Sequence, residues 1–382
     1  MSSILQLYVE LLLNIRTVTL FASLKSEHTD TTKAELSADG EAISLTHEGE
    51  TATIRLPTRI SGGGSATLTL PATPSKDLTL RMQLQEKSPG LLKLNERSEN
   101  ATPWSAGFLS DGEDGGISRW MDLPNENWAE MMDFWHCHKP DEHHLPDHKH
   151  EAGRDKGYAA ANKLFAKVGV GYVDLSYILL TEVDCCGVQL NDRDISHTHQ
   201  QQLVCKQCTA TVGAVDERAE GWRLFKWSMA VTGQSSGVMK SYSMPKWISA
   251  QLLTLIENQG IRKFTVRSEP ISALPATTLW VFSPDLSFSS SVDTDAREDP
   301  TRAMKVLWQP DLNQPHSSER TSGSQALDSQ SLSMEELSLP KPAFEALIDT
   351  LTKSAQWLPA SARKFQDWNV GLLKRFEENE ID

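Results

Sequence analysis

The fold class is indicated by an alternating stretch at residues 77–84, which reads Asp77-Leu78-Thr79-Leu80-Arg81-Met82-Gln83-Leu84. Every second side chain in it is apolar, and this period of two is typical of a β-strand with one buried face. The same alternation occurs in two runs upstream, Ala52-Ile54-Leu56 and Ala66-Leu68-Leu70. The first hundred residues therefore predict half-buried antiparallel strands.

Helices enter the pattern only toward the carboxyl end of the chain. One predicted helix begins after Ser243, with Pro245 in its first turn, and ends at Gly260. Another spans Pro342 to Ser354. Apolar runs predict strands between and before these helices, at residues 168–172, 176–180, 222–231, 263–267, 278–282 and 304–308. The predicted fold is α+β and β-rich, with an antiparallel N-terminal sheet lobe followed by a mixed sheet-and-helix C-terminal lobe.

The length of the chain predicts two lobes, because 382 residues exceed a typical single domain. We expect a β-rich N-terminal lobe at residues 1–120 and an α+β lobe at residues 158–382. Residues 121–157, between them, contain a motif rich in Trp, His and Cys, followed by a polar loop. Ser-, Asp- and Pro-rich composition near residues 287–301 and 309–333 predicts flexible loops within the second lobe.

Charge and cysteine content narrow the function classes. The chain has 37 Lys and Arg against 51 Asp and Glu, and the net charge of −14 repels both nucleic acid and anionic membrane surfaces. The apolar run at residues 4–24 is interrupted by Glu10, Asn14 and Arg16, so it predicts core strands rather than a signal peptide or a membrane span. An odd number of cysteines, five, fits a reducing compartment, the cytosol or the nucleus.

The densest group of reactive side chains lies between Trp128 and His150. Its first part predicts a helix with one apolar face, and its second part predicts a solvated loop. Imidazoles at positions 136 and 138 flank the thiol of Cys137, and a neighbouring cation favours a thiolate. Cys137 is therefore a candidate nucleophile, with metal ligation or a structural role as alternatives. Cys186, before a glycine, is the second candidate, with a buried structural role as its alternative.

A second cysteine pattern, Cys205-Lys206-Gln207-Cys208, has the spacing of half a zinc site. Two further ligands would have to come from Cys137 with His138, or from Cys185 with Cys186. Adjacent side chains in a strand point apart, which argues against the second pair. The alternative is that both cysteines of the pattern are reduced and bind no metal.

One long run resembles the central motif of a known family: Asp122-Leu123-Pro124-Asn125-Glu126-Asn127-Trp128-Ala129-Glu130-Met131-Met132-Asp133-Phe134-Trp135-His136-Cys137-His138-Lys139-Pro140. It is the HECT-like family of ubiquitin-conjugating-enzyme-binding proteins. The resemblance extends to residues 7–16, 204–208, 279–282, 358–363 and 368–373. It covers the chain almost from end to end.

The resemblance implies a protein that binds a ubiquitin-conjugating enzyme and acts as, or within, a ubiquitin ligase in the cytosol and nucleus. It also implies ubiquitin as a partner, and as protein substrates cyclin-type proteins or factors of messenger RNA 3′-end processing. In HECT-type chemistry a ligase thiolate accepts ubiquitin from the enzyme's thioester and passes it to a substrate lysine. Position by position, the Cys137-His138 and Cys205-Cys208 pairs match the family's Cys and His positions.

This chain departs from the family at one point. Many members have a first C-x-x-C after the element that corresponds to Trp104-Ser105-Ala106, and it would complete a four-cysteine zinc site with the second. Here residues 110–116 contain no cysteine, so Cys205 and Cys208 either lack the partners that a Zn²⁺ site needs or take Cys137 and His138 as the other two ligands. Two hypotheses follow. The chain is a ubiquitin ligase or ligase component, or it is a non-catalytic adaptor or assembly chaperone whose cysteines serve structure or zinc alone.

Overall fold

The structure is a computed structural model, and the residues it describes are 2–60, 66–84, 102–104, 116–123, 164–191, 201–232, 237–269, 275–292, 297–311 and 334–381. They form two compact units. Unit 1 consists of residues 1–101 together with 243–382, and unit 2 consists of residues 102–242. The division differs from the sequence-based expectation of lobes at 1–120 and 158–382, because the N-terminal strands pair with strands near the carboxyl end.

Strands dominate both units. The N-terminal part of unit 1 contains β1 (Ile4–Leu12), β2 (Thr17–Leu24), β3 (Lys33–Leu36), β4 (Ala42–His47), β5 (Glu50–Arg55), β6 (Ala66–Leu68) and β7 (Asp77–Gln83). Unit 2 contains β8 (Arg119–Asp122), β9 (Val170–Val173), β10 (Tyr177–Leu180), β11 (Val188–Leu190), β12 (Gln202–Cys205), β13 (Thr211–Asp216), β14 (Gly221–Phe225), β15 (Val231–Thr232) and β16 (Met239–Lys240).

The C-terminal part of unit 1 adds the main helices to its strands. In chain order it contains α1 (Met244–Gln259), β17 (Lys263–Glu269), β18 (Thr277–Ser290), β19 (Thr301–Pro310), β20 (Met334–Pro340), α2 (Lys341–Ser354), β21 (Lys364–Phe365), β22 (Trp368–Lys374) and α3 (Glu378–Ile381). Short 3-10 turns lie at Leu13–Ile15, Glu182–Asp184, Lys226–Ser228, Ala355–Trp357 and Ala360–Ala362. The prediction of a β-rich α+β fold is confirmed.

The largest sheet of unit 1 has nine strands, and its strand β1 pairs with one strand from the N-terminal part of the unit and one from the C-terminal part. On one side β1 pairs with β2, and on the other it pairs antiparallel with β18, with Tyr8 opposite Ser290. The path runs β21-β22-β19-β18-β1-β2-β7, while β17 pairs with both β18 and β20. The β17–β20 pair is parallel. A separate four-stranded sheet, in the order β5-β4-β3-β6, shares an apolar core with β1, β2 and β7.

Two helices of unit 1 follow the sequence signals closely. Helix α1 has Pro245 in its first turn and ends at Gly260, whose φ of 72° lets its N–H reach the Ile256 carbonyl at 2.7 Å. Ser243 takes the N-cap position, although its side chain makes no capping hydrogen bond. Helix α2 lies against β22 at Gly371, where a Cβ would be only 2.8 Å from the Leu351 carbonyl oxygen. Glycine at this position lets helix and strand come close together.

Unit 2 is built on a seven-stranded sheet in the order β11-β12-β13-β14-β10-β9-β8. All neighbouring pairs are antiparallel except β8 with β9. Five buried side chains form its larger core cluster, Ile178, Leu180, Leu203, Trp222 and Leu224. Lys226 is also buried, and desolvation lowers the pKa of its ammonium group to about 8. Its Nζ donates a hydrogen bond to the Trp104 carbonyl at 3.1 Å.

The prediction of flexible loops near residues 287–301 and 309–333 is wrong for Ser287–Ser290, Thr301, Gln309 and Pro310, which lie in strands. Ser287 to Ser290 complete β18, because their polar side chains do not prevent the backbone from pairing with β1. Phe288 within this segment is fully buried. Gln309 and Pro310 likewise end β19. Residues 312–333 lie outside the described residues. None of the described helices has the length and apolar character needed to cross a membrane.

Candidate functional site

The predicted site residues fall into two groups. Cys137 and His138, together with the rest of the motif from Trp128 to His150, lie outside the described residues. The other four cysteines belong to unit 2 and are free thiols: Cys185 and Cys205 are half-buried, whereas Cys186 and Cys208 are exposed. The structure shows the surroundings of these four thiols.

The antiparallel pair of β11 and β12 places the two cysteine pairs at the same end of the sheet edge. Val188 is opposite Cys205, and the next pair of residues outward is joined by a hydrogen bond of 2.9 Å from the Lys206 N–H to the Gly187 carbonyl. Cys186 immediately precedes Gly187 in the segment that leads into β11. On the other strand the chain continues directly into Cys208. The β11–β12 pair therefore defines a cysteine-bearing end of unit 2.

The C-x-x-C pattern forms a closed turn. The Thr209 N–H donates to the Cys205 carbonyl at 2.9 Å, and the Cys205 N–H donates to the Ala210 carbonyl at 2.9 Å. Thr209 adopts a φ of 59°, a left-handed conformation that is uncommon for a β-branched residue. The turn therefore holds a fixed backbone shape between its two thiols.

The turn also sets the chemistry of Cys205. The Cys208 N–H, the Gln207 N–H and the Cys208 thiol donate to its sulfur, and these hydrogen bonds lower the pKa of the Cys205 thiol. Donors directed at a sulfur stabilise its thiolate form, which is also the form that binds metals. The Cys208 thiol is close enough to affect the pKa of the Cys205 thiol, and two ligands of one tetrahedral ion must also be neighbours. This donor pair fits half of a zinc site.

The pKa of the Cys185 thiol is raised, in contrast to that of Cys205. The Cys185 side chain packs against the core cluster of unit 2. Burial, and next the nearby Asp184 carboxylate, raise the pKa of its thiol to about 11. The thiolate form of Cys185 is therefore less favoured than that of an ordinary cysteine, which makes Cys185 a poor nucleophile. Cys186, the next residue, is exposed and precedes Gly187, which has a φ of 75°.

Asp184, a residue that the sequence pattern did not single out, fixes the turn before Cys185. The Asp184 carboxylate accepts hydrogen bonds from the Gly169 N–H at 3.1 and 3.2 Å and from the Thr181 hydroxyl at 2.6 Å. These hydrogen bonds hold the 3-10 turn at Glu182–Asp184 next to Gly169, the residue that precedes β9. A Thr followed three residues later by Asp is a recognisable local signal for such a turn.

A complete metal site is not formed by the described residues alone. Within them, no three His, Cys, Asp or Glu side chains are grouped so that they could hold a metal ion. Cys185 and Cys186 therefore do not complete a site with Cys205 and Cys208. A zinc site that uses Cys137 and His138 remains a prediction.

The contrasting thiols lead to a labelling prediction. At pH 8, iodoacetamide is expected to alkylate Cys205 at least about 10-fold faster than Cys185. Burial raises the pKa of the Cys185 thiol to about 11, so little of it is thiolate at pH 8, whereas hydrogen bonds lower the pKa of the Cys205 thiol and increase its thiolate fraction. The lower intrinsic nucleophilicity of the more acidic thiol offsets part of this difference. Mass spectrometry of the two peptides over time measures both rates. In urea the rates should converge, and equal rates in the folded chain would contradict the assignment.

Comparison with known proteins adds the family context. The model of the HECT-like ubiquitin-conjugating enzyme (E2)-binding family matches residues 10–370. An uncharacterized protein of Schizosaccharomyces pombe is 25% identical over 271 residues, which cover 69% of this chain and 70% of that protein. An uncharacterized protein of Saccharomyces cerevisiae is 24% identical over 253 residues, covering 65% of this chain and 61% of that protein. No solved structure matches the chain.

Proposed function

Because the chain belongs to the family of HECT-like ubiquitin-conjugating enzyme (E2)-binding proteins, we propose that it binds a conjugating enzyme and promotes ubiquitin transfer to protein lysines. The observation that carries the proposal is the family match across residues 10–370. The match includes both cysteine-bearing regions, the motif around Cys137 and the C-x-x-C turn. Ubiquitin and a protein substrate, of the cyclin type or a messenger RNA 3′-end processing factor, complete the proposed set of partners in the cytosol and nucleus.

The proposed transfer proceeds through a thioester on this chain. A cysteine thiolate attacks the carbonyl carbon of the thioester that joins ubiquitin to the conjugating enzyme. A new thioester forms, and the enzyme's cysteine leaves as a thiolate. A substrate lysine amine then attacks the new thioester, so that an isopeptide bond forms and the chain's thiol is released with the amine's proton.

Cys137 is the proposed acceptor thiol. His136, His138 and Lys139 surround it in sequence, and cationic neighbours favour the thiolate form. Cys186 is the second candidate because its side chain is exposed. Cys185 is not proposed as an acceptor, because burial raises the pKa of its thiol to about 11.

A structural zinc site is also proposed. Cys205 and Cys208 would supply two thiolates, and Cys137 and His138 the remaining two ligands. In that arrangement Cys137 would be occupied by the metal and could not accept ubiquitin. The acceptor role and the ligand role of Cys137 are therefore mutually exclusive.

A non-catalytic adaptor or assembly chaperone is the second candidate function. It is favoured by the character of the four described cysteines. One of them is protonated and half-buried, and two belong to a turn that fits a metal. An adaptor would bind the conjugating enzyme or a client without forming a thioester.

Binding to conjugating enzymes tests the proposal. The purified chain is immobilised, and a panel of conjugating enzymes is passed over it, each with and without a ubiquitin thioester. Saturable binding to at least one enzyme is expected. Absence of binding to every enzyme in the panel, by a chain that is folded, would reject the proposal.

A further inference from the structure

Four aromatic side chains meet on one face of the nine-stranded sheet of unit 1. The ring of Trp280 lies edge-on to that of Phe282, with centroids 5.8 Å apart, and edge-on to that of Trp368 at 6.2 Å. Phe282 in turn lies 6.4 Å from Phe365. These four residues, Trp280, Phe282, Phe365 and Trp368, are called the aromatic patch below. It joins β18, β21 and β22 in one continuous apolar surface.

The aromatic patch is open to solvent at one end and continuous with the core at the other. Phe282 is 42% exposed and Phe365 is 46% exposed. Trp280 and Trp368 are half-buried and pack against the same core cluster as Leu307 and Val370. Single exposed apolar residues are ordinary, but adjoining aromatic rings are typical of partner-binding surfaces.

Strand register fixes the positions of these rings. Phe365 is directly opposite Trp368 in the β21–β22 hairpin, whose turn contains Gln366 with a φ of 54°. Trp280 is paired across β17–β18 with Lys263. Rings held on paired strands lose little conformational freedom when a partner covers them. The aromatic patch is therefore a preorganised surface.

Two cations lie near the aromatic patch: Lys263 is paired with Trp280, and Arg363 precedes Phe365 by two residues in the chain. The Lys263 ammonium lies 5.3 Å from the centroid of the Trp280 ring. The Arg363 guanidinium donates to the Leu358 carbonyl at 2.8 Å and to Gln6 Oε1 at 3.4 Å, both neutral acceptors. Among the described residues, no carboxylate forms an ion pair with Arg363. In a chain of net charge −14, a basic border next to exposed rings complements carboxylates on a partner.

We propose that the aromatic patch is the surface on which this chain binds the ubiquitin-conjugating enzyme, an inference that rests on the proposed function. The enzyme would present an exposed loop with an apolar side chain that covers Phe282 and Phe365. A neighbouring carboxylate would lie near Lys263 and Arg363. Four rings make a small interface, and small interfaces suit transient partners. A conjugating enzyme is such a partner, since it must leave after each transfer to be recharged with ubiquitin.

The test compares the affinity of three forms of the full chain for a conjugating enzyme that the wild type binds. A Phe282→Ala, Phe365→Ala double variant is expected to bind at least about 10-fold more weakly, because central aromatic residues dominate binding energy. The matched control is Leu5→Ala in the same unit, which removes a side chain that is 60% exposed outside the patch. Its affinity is expected to stay within about two-fold of wild type. Circular dichroism and thermal melting establish that all three chains are folded.

Lys263→Gln tests the basic border separately. It is expected to slow association and to reduce its dependence on salt, because border charges act mainly on the encounter rate. Analytical ultracentrifugation of the free chains adds a second readout. If the wild type self-associates and the double variant does not, the patch joins copies of this chain, and the inference is wrong.

The remaining outcomes separate the inference from the proposed function. If the wild type binds an enzyme and the double variant binds it within two-fold, the patch is not the docking surface, while the proposed function stands. If a folded wild type binds no conjugating enzyme, both are rejected. Binding of the patch to ubiquitin alone, lost in the double variant, would also overturn the assignment to the enzyme.

Discussion

A Cys137→Ala variant is expected to form no reducible ubiquitin adduct when it is mixed with a ubiquitin-charged conjugating enzyme. The wild type is expected to form one, because its thiolate can exchange with the enzyme's thioester, whereas alanine has no nucleophile. Non-reducing electrophoresis of samples quenched within seconds measures the adduct, and treatment with a thiol reductant must remove it. The expected change is complete loss rather than a reduction in amount.

Two controls make this result specific. Cys186→Ala should keep the adduct, since the proposal assigns Cys186 only a secondary place, and Cys137→Ala should bind the enzyme as tightly as wild type. An adduct that persists in Cys137→Ala but disappears in Cys186→Ala would transfer the acceptor role to Cys186. A wild type that binds the enzyme but forms no adduct would contradict the relay and favour the adaptor.

An Asp285→Ala variant is expected to lower the free energy of unfolding by about 3–5 kcal/mol. Asp285 accepts hydrogen bonds from Nε and Nη2 of Arg302 at 2.9 and 2.8 Å, and it contacts Nη1 of Arg375 at 3.1 Å. Both arginine side chains are buried, at 3% and 5% exposure. Removing the carboxylate would take an acidic partner away from two buried positive charges. Urea unfolding followed by circular dichroism measures the change.

Asp349→Ala is the matched control for Asp285→Ala. Asp349 pairs with Lys353 at 2.8 Å on the surface of α2, where both side chains are mostly exposed. Exposed pairs of this kind contribute about 0–1 kcal/mol, so little change is expected. Equal destabilisation by the two variants would contradict the role given to the buried pair. The comparison also tests the sheet that carries the aromatic patch, since Asp285 links β18 to β19 and to Arg375, the residue that follows β22.

Local sequence signals predicted those elements whose determinants lie close together in the chain. Helix α1 is an example, because Pro245 and Gly260 mark its ends within the helix itself. The alternating run at residues 77–84 is another, and β7 occupies Asp77–Gln83. In both cases the residues that decide the structure are neighbours in sequence, so the pattern is sufficient.

Strands whose pairing partner is distant in the sequence were not predicted. Ser287 to Ser290 have the composition of a loop, yet they form a strand because β1, almost three hundred residues upstream, supplies the hydrogen bonds. The parallel pairing of β17 with β20 is of the same kind. Polar composition predicts a loop only when no partner strand satisfies the backbone. This also explains why unit 1 combines both ends of the chain.

The sequence shows which residue types belong to the candidate site, but it does not show the pKa values of their thiols. The spacing of Cys205 and Cys208 predicts two metal ligands, and metal binding by them stays a prediction. The hydrogen bonds that acidify Cys205, and the burial that raises the pKa of Cys185, depend on the folded turn and on core packing. The aromatic patch is a further case, because Trp280 and Trp368 are 88 positions apart in sequence and meet only through strand order.

Affinity for a conjugating enzyme is the measurement that tests the central claim most directly. Biolayer interferometry with the full chain and a panel of conjugating enzymes should give at least one saturable interaction, with a Kd on the order of micromolar, as expected of a transient partner. Ubiquitin without the enzyme serves as the control and should bind at least about 10-fold more weakly if the enzyme is the partner. A folded chain that binds none of the enzymes, charged or uncharged, would contradict the account.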